Sequence, residues 1–206
     1  MTRINTGSKW GRETENPHQR GNPHTGTFHT FQGFSDVLLL IIKAVKAVAA
    51  HWYAHHGGGA YHASGVERNG QGFLFLGPSG AGKTTVARLS EQAEAKIVHD
   101  DQVMLGFDGK NYRISSPESH HIPPLRGIFL IKQSDNNRVT RSSNLALYTG
   151  LTKSLLEFYS GQDLYGSCVR QAFHNAAQIA RTIPGYELCF RKTPDFWSLI
   201  DQELLR

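Results

Sequence analysis

Apolar positions along this chain fall into alternating helical and strand periods, and their spacing predicts ordered structure from about Phe31 onward. Ser35 is placed to cap a first helix whose apolar positions run through Leu38, Ile41, Ile42, Val45 and Val48, with Gly57, Gly58 and Gly59 ending it. Tyr61–Val66 and Phe73–Leu76 flank Asn69-Gly70, and apolar runs joined by Asn-Gly predict a hairpin. A glycine-rich loop follows, then a helix over about Lys83–Ala93 and a short strand at Ile97-Val98. Asp108-Gly109 turns the chain between Val103–Leu105 and Tyr112–Ile114.

Further along, Gly127–Ile131 is expected to be a buried strand. Leu145, Tyr148, Leu151, Leu155 and Phe158 share one helical face, and Val169, Phe173, Ala176 and Ile179 another. Tyr186–Phe190 alternates like a strand. Thr193 and Pro194 are expected to start a last helix, threonine as cap and proline at the first helical position. Strands and helices without a regular βαβ rhythm predict a mixed-sheet α/β domain flanked by helices. The expected division is an extension, disordered or added at the start, over residues 1–30 and one domain over 31–206.

Composition narrows the class. Of 206 residues 39% are hydrophobic and 19% charged, which suits one domain with a real core. The net charge of +5 is spread out, and no polybasic cluster points to nucleic acid. Two cysteines, Cys168 and Cys189, make neither a disulfide framework nor a zinc site. The apolar run Val37–Ile42 meets Lys43 and Lys46, short of the roughly 20 apolar residues a membrane span needs. The expectation is a soluble, cytoplasmic protein with neither membrane nor nucleic-acid partner.

One segment carries recognisable chemistry. Gly77, Pro78, Ser79, Gly80, Ala81, Gly82, Lys83 and Thr84 fill every fixed position of G-x-x-x-x-G-K-[ST], between an apolar strand and an amphipathic helix. Glycines there let backbone N–H groups turn inward around phosphate oxygens at a helix N-terminus. Lys83 is expected at the β- and γ-phosphates of ATP and the Thr84 hydroxyl on Mg²⁺, with Thr85 alongside in the nucleotide site. Asp100 and Asp101 close the next strand. Adjacent carboxylates there can divide two tasks, one holding the metal and the other accepting a proton from an attacking hydroxyl.

Taken in order, Tyr61–Val66, the glycine loop, Ile97–Asp101 and Leu125–Phe129 resemble the C-terminal catalytic domain of HPr kinase/phosphorylase and its stand-alone relatives. The tail Tyr186–Arg191 with Phe196-Trp197 resembles their closing strand and helix, so the likeness covers residues 31–206. It implies a P-loop-containing mixed sheet similar to the HPr kinase and phosphoenolpyruvate carboxykinase nucleotide-binding core. It also implies that His62 lies near the transferred phosphate, that Asp100 is the base and Asp101 assists at the metal, and that Arg126 meets γ-phosphate or transition-state charge. The family's glutamate upstream of its arginine has no firm counterpart; Glu118 is the nearest residue, so phosphorylase activity is not carried over.

The function expected is transfer of the γ-phosphoryl group of ATP, with Mg²⁺, to a serine or other alcohol of a protein, peptide or small molecule. Self-association is implied by the family's oligomers. Two other readings remain: another P-loop nucleotide or metabolite kinase, for which Arg138 and Arg141 are the hints of a lid, and an ATP-binding switch in which nucleotide orders the His120–Pro124 loop. His51 and His55, four apart on one helix face, are expected to be solvated or nucleotide-adjacent in preference to metal-binding.

Overall fold

The computed structural model describes residues 27–117, 122–160 and 166–205. The expectations for residues 1–26 and those resting on Glu118, His120 and His121 lie outside the described residues. The chain divides into two compact units, Met1–Ile41 and Ile42–Arg206, a boundary about ten residues beyond the one expected from composition.

Helix α1 (Thr27–His55) supplies what is described of the first unit and continues into the second. Ser35 therefore lies inside the helix and caps nothing. Val37, Leu38, Leu39, Leu40 and Ile41 are all exposed. Ser35–His55 spans 21 residues, has a mean hydropathy of 1.6 over its most apolar 18-residue window, and is long and apolar enough, by length and composition alone, to cross a membrane. The apolar character thus runs beyond the end expected at Lys43, because Lys43 and Lys46 leave the helix unbroken.

Within the second unit, α1 turns Ala50 and Ala54 onto the core and leaves Val45, Val48 and Trp52 outward. Its end is satisfied both locally and from a distance: Gly58 N–H donates to Tyr53 O at 2.9 Å, and the buried Asn175 side-chain amide donates to Ala54 O at 2.7 Å and, past the helix, to Gly58 O at 2.9 Å. Carbonyls at a helix C-terminus have no partner inside the helix, so this amide adds to what the local bond provides.

Two sheets follow. Strands β1 (Gly59–His62), β5 (Gln102–Phe107) and β6 (Tyr112–Ser115) form an antiparallel sheet in the order β1-β5-β6. The second sheet has six strands in the order β4-β2-β3-β7-β9-β8. Its members are β2 (Ser64–Arg68), β3 (Gln71–Leu76), β4 (Lys96–His99), β7 (Leu125–Gln133), β8 (Arg138–Arg141) and β9 (Gly185–Phe190). Tyr61–Val66, expected as one strand, is two: the chain changes sheet at Ala63, whose N–H donates to Asp101 O at 3.0 Å. The β2–β3 hairpin is as expected. Arg68 pairs with Gln71 across Asn69 (φ 54°) and Gly70 (φ 71°), the doubly positive geometry that Asn-Gly supplies.

The middle of the six-stranded sheet is parallel: β3 pairs with β7 and β7 with β9. Its strands are buried on both faces and read as continuous apolar runs. One face packs against α3 (Asn144–Tyr159), with Leu147 and Leu151 inside, and α4 (Gly166–Thr182) packs on α3 and on β1, where Leu155 and Ala172 meet Gly59. The other face packs against α2 (Lys83–Glu91) and α5 (Phe196–Leu204) through Val86, Phe75, Phe129, Phe196 and Trp197. Leu145, expected on the buried face of α3, is exposed and Leu147 takes its place. The last helix begins at Phe196 after a turn closed by Trp197 N–H to Pro194 O, not at Thr193-Pro194.

Glycines 58 and 70 test the backbone differently. A Cβ on Gly58 would lie 1.7 Å from Leu105 O, inside the β1–β5 sheet, whereas one on Gly70 meets nothing within 4 Å. Gly58→Ala should cost about 3 kcal/mol or more, since backbone must move. Gly70→Ala should cost only the left-handed conformation, about 1–2 kcal/mol. Urea midpoints of the two variants check the order.

Candidate functional site

The carboxyl end of β3 runs into a loop, Gly77–Gly82, and then into α2. Two of its glycines take positive φ, Gly80 at 78° and Gly82 at 101°, and Ala81 N–H closes a turn onto Pro78 O at 3.0 Å. Gly77 is required for space: a Cβ there would lie 2.7 Å from that of Ala81 and 3.0 Å from Ile131 Cγ1. Such a loop, ending at a helix N-terminus, can present N–H groups to an anion.

Lys83, the first residue of α2, is buried. Its ammonium folds back to donate to Gly77 O at 2.7 Å and Pro78 O at 3.3 Å. Burial lowers its pKa from the ordinary lysine value, opposed by the nearby carboxylates of Glu157 and Asp101. An anion of high charge offers this ammonium a better partner than two carbonyls, so the lysine is poised to swing to one.

Around the loop a cavity of about 360 Å³ gathers His62, Ser79, Gly80, Gly82, Lys83, Thr84, Thr85, Asp100, Asp101 and Gln133. These residues come from both sheets. His62 ends β1, and its Nδ1 lies 3.0 Å from Asp101 Oδ1 while Nε2 lies 3.8 Å from Glu157 Oε2. Ser64, just past the change of sheet, is fully buried and donates to Asp100 O at 3.0 Å. His99 Nδ1 accepts from the N–H groups of Asp101 and Gln102 at 3.1 and 2.9 Å. The backbone that carries the two aspartates is thus held by Ser64 and His99, and the Asp101 carboxylate by His62.

His62, Lys83, Thr84, Asp100 and Asp101 therefore converge, as do the loop residues. Arg126 does not. It sits at the second position of β7, whereas the glycine loop lies beyond Leu76, the partner of Leu130 at the other end of that strand pair. Arg126 is exposed and donates to Leu204 O at 3.3 Å. The sequence places arginine on the right strand but cannot say which end of it faces the loop. Arg138 and Arg141 form no lid over the site: they lie on β8, Arg141 donating to Tyr186 Oη at 3.0 Å. Among the described residues no group of three or more His, Cys, Asp or Glu could by itself hold a metal ion. The His51 and His55 rings lie 4.5 Å apart, tilted by 53°.

Two residues enter that the motifs did not single out. Gln133, at the end of β7, donates from Nε2 to Gly80 O at 3.2 Å. Glu157, on α3, reaches His62 and influences Lys83. A helix-face acid 56 residues beyond Asp101 leaves no local signal in sequence.

No family model matches the chain, and no curated protein matches it. Among solved structures it is similar to the Hpr(Ser) kinase/phosphatase from Coxiella burnetii, at 12% identity and a TM-score of 0.36, covering 71% of this chain and 93% of that one.

Ser64→Ala should lower stability by about 1 kcal/mol, the typical loss of one buried hydrogen bond, and free the Asp100 carbonyl. Chemical denaturation of the two proteins measures it.

Proposed function

We propose that this protein is an ATP-dependent phosphotransferase of the HPr-kinase-like type, moving the γ-phosphoryl group to an alcohol. The observation that carries this is the meeting of Lys83, Thr84, Asp100, Asp101 and His62 in one cavity around a loop whose sequence fits a phosphate cradle throughout.

In this reading Gly77–Thr85 surrounds the triphosphate, and the Lys83 ammonium leaves its two carbonyls for the β- and γ-phosphate oxygens. Thr84 and Asp101 are the hard oxygen donors that would hold Mg²⁺, an ion that takes one or two carboxylates and completes its shell with phosphates and water. The ion would neutralise charge across the β- and γ-oxygens. His62, 3.0 Å from Asp101, keeps that carboxylate oriented.

Asp100 takes the proton of the acceptor hydroxyl as its oxygen bonds to the γ-phosphorus. The bond from that phosphorus to the β–γ bridging oxygen breaks, and ADP leaves with the electron pair. Arg126 has no part in this scheme. Lys83 is the cation present at the γ-position, which accords with a reaction that depends on positioning and charge more than on covalent chemistry.

Lys83→Ala should abolish phosphoryl transfer and weaken MgATP binding by at least tenfold. Asp100→Asn should reduce turnover by about 100-fold or more, the general-base range, with MgATP affinity within twofold of the parent. Titration with a fluorescent ATP analogue and transfer from [γ-³²P]ATP to lysate and metabolite pools measure the two effects. Unchanged activity in both variants would overturn the assignment, and nucleotide binding with no label moved anywhere would favour a switch.

A further inference from the structure

A second cavity, of about 350 Å³, lies beside the first, between the carboxyl ends of β3 and β7 and the face of α3. Leu76, Leu130, Ile131 and Ala146 give it apolar walls, and Lys153 and Glu157 stand one helical turn apart on its α3 side. The two cavities meet at Lys83. The Gly77 and Pro78 carbonyls that hold its ammonium line the second cavity, and Glu157 of that cavity lies 3.8 Å from His62 of the first. A γ-phosphate drawn to Lys83 would therefore stand at the junction.

The charges of this cavity are unequal in their commitments. Glu157 faces His62 and Lys83. Lys153 is exposed and makes no hydrogen bond or ion pair with the described residues, its neighbour Glu157 included. A lysine with no partner among the described residues, at the rim of an apolar cavity that adjoins the glycine loop, is positioned to take an anionic group of whatever enters.

We propose that this cavity is the acceptor site and that the acceptor is a small hydroxy acid, its carboxylate on Lys153 and its hydroxyl at the junction by Lys83. The proposal rests on the phosphotransferase reading above and specifies its substrate class. Three features select the class. The cavity has the size and mostly apolar lining of a small-molecule site. Among the described residues Lys153 is the unpaired cation lining this cavity, and its place beside a carboxylate suits a monoanion and disfavours a phosphorylated acceptor, whose second charge Glu157 would repel. Lys153 and Glu157 lie four positions apart on α3, about 6 Å along its axis, so the cation and the junction side of the cavity are within a small molecule's length of each other.

The transfer balances as before. The acid's hydroxyl oxygen bonds to the γ-phosphorus, the bond to the bridging oxygen breaks toward ADP, and the proton passes to Asp100. The product is a phosphoester that keeps its carboxylate.

The experiment uses the full chain with MgATP and four probes: 3-hydroxypropionate, 4-hydroxybutyrate, serine and homoserine. Glycerol, glycerol 3-phosphate, the amides of the acids and a serine-containing peptide are the comparisons. Label from [γ-³²P]ATP is followed by thin-layer chromatography, and nucleotide binding is measured separately by fluorescence. The expected result is label on one or more carboxylate-bearing probes and at least tenfold less on the matching amide. In Lys153→Met the acceptor KM should rise at least tenfold while the nucleotide Kd stays within twofold. Thr149→Trp, at an exposed lining position of the same cavity, should reproduce the loss without touching the charge.

Nucleotide binding accompanied by label on the peptide alone, on glycerol 3-phosphate in preference to the acids, or on nothing overturns the hydroxy-acid assignment and leaves nucleotide binding standing. An acceptor KM unmoved by Lys153→Met overturns it as well. Failure of the parent protein to bind MgATP overturns the phosphotransferase reading and this proposal together.

Discussion

The parallel pairing of β3 with β7 is the constraint on which the rest of the site depends. Hydrogen bonds fix Phe75 opposite Phe129 and Leu76 opposite Leu130, so both strands deliver their carboxyl ends to one edge. The glycine loop then leaves β3 pressed against Ile131, close enough that only glycine fits at position 77. Gln133 ends β7 two residues later and bonds the loop at Gly80. Parallel strands need burial on both faces, and the helices that provide it are the ones that complete the chemistry. α2 begins with Lys83, and α3 carries Lys153 and Glu157.

The change of sheet at Ala63 brings the opposite wall. β1 ends in His62 and β2 starts with Ser64, so three consecutive residues touch both sheets and both aspartates: His62 the Asp101 carboxylate, Ala63 the Asp101 carbonyl, Ser64 the Asp100 carbonyl. Ser154 of α3 donates in turn to His62 O at 3.0 Å. The arrangement gathers one buried ammonium among three carboxylates, those of Asp100, Asp101 and Glu157. Burial and the charges of Glu157 and Asp101 act on the lysine in opposite directions. An incoming polyphosphate with its metal ion would add both signs at once, so the pocket has a place for each.

Much of this was legible from residue order alone. Asn69-Gly70 announced its hairpin because two successive positive-φ positions have few solutions, and the glycine loop announced itself because its spacing is rigid. Other features were hidden for physical reasons. Ala63 is small and apolar, so the run Tyr61–Val66 shows no break where the chain changes sheet. β8 is four mostly exposed residues and has no apolar alternation to detect. Leu145 and Leu147 both lie near the start of α3, and only packing against Gly185 and the sheet decides that Leu147 goes inside. Arg126 was drawn to the phosphate by resemblance, yet a strand of nine residues has two ends some 25 Å or more apart, at about 3.3 Å per residue. Lys153 and Glu157 are meaningful only beside Lys83, Gly77, Pro78 and His62, 70 to 95 positions earlier.

The outermost strands of the six-stranded sheet have a consequence for how the molecule meets its neighbours. β4 and β8 are each four residues long, and they carry Lys96 on one border and Arg138 and Arg141 on the other. Short borders bearing positive side chains make poor templates for an added strand, since each newcomer would have to bury or displace a cation. The six-stranded sheet is therefore self-limiting. It resists growing into the stacked, fibre-like assemblies open to sheets with long apolar borders.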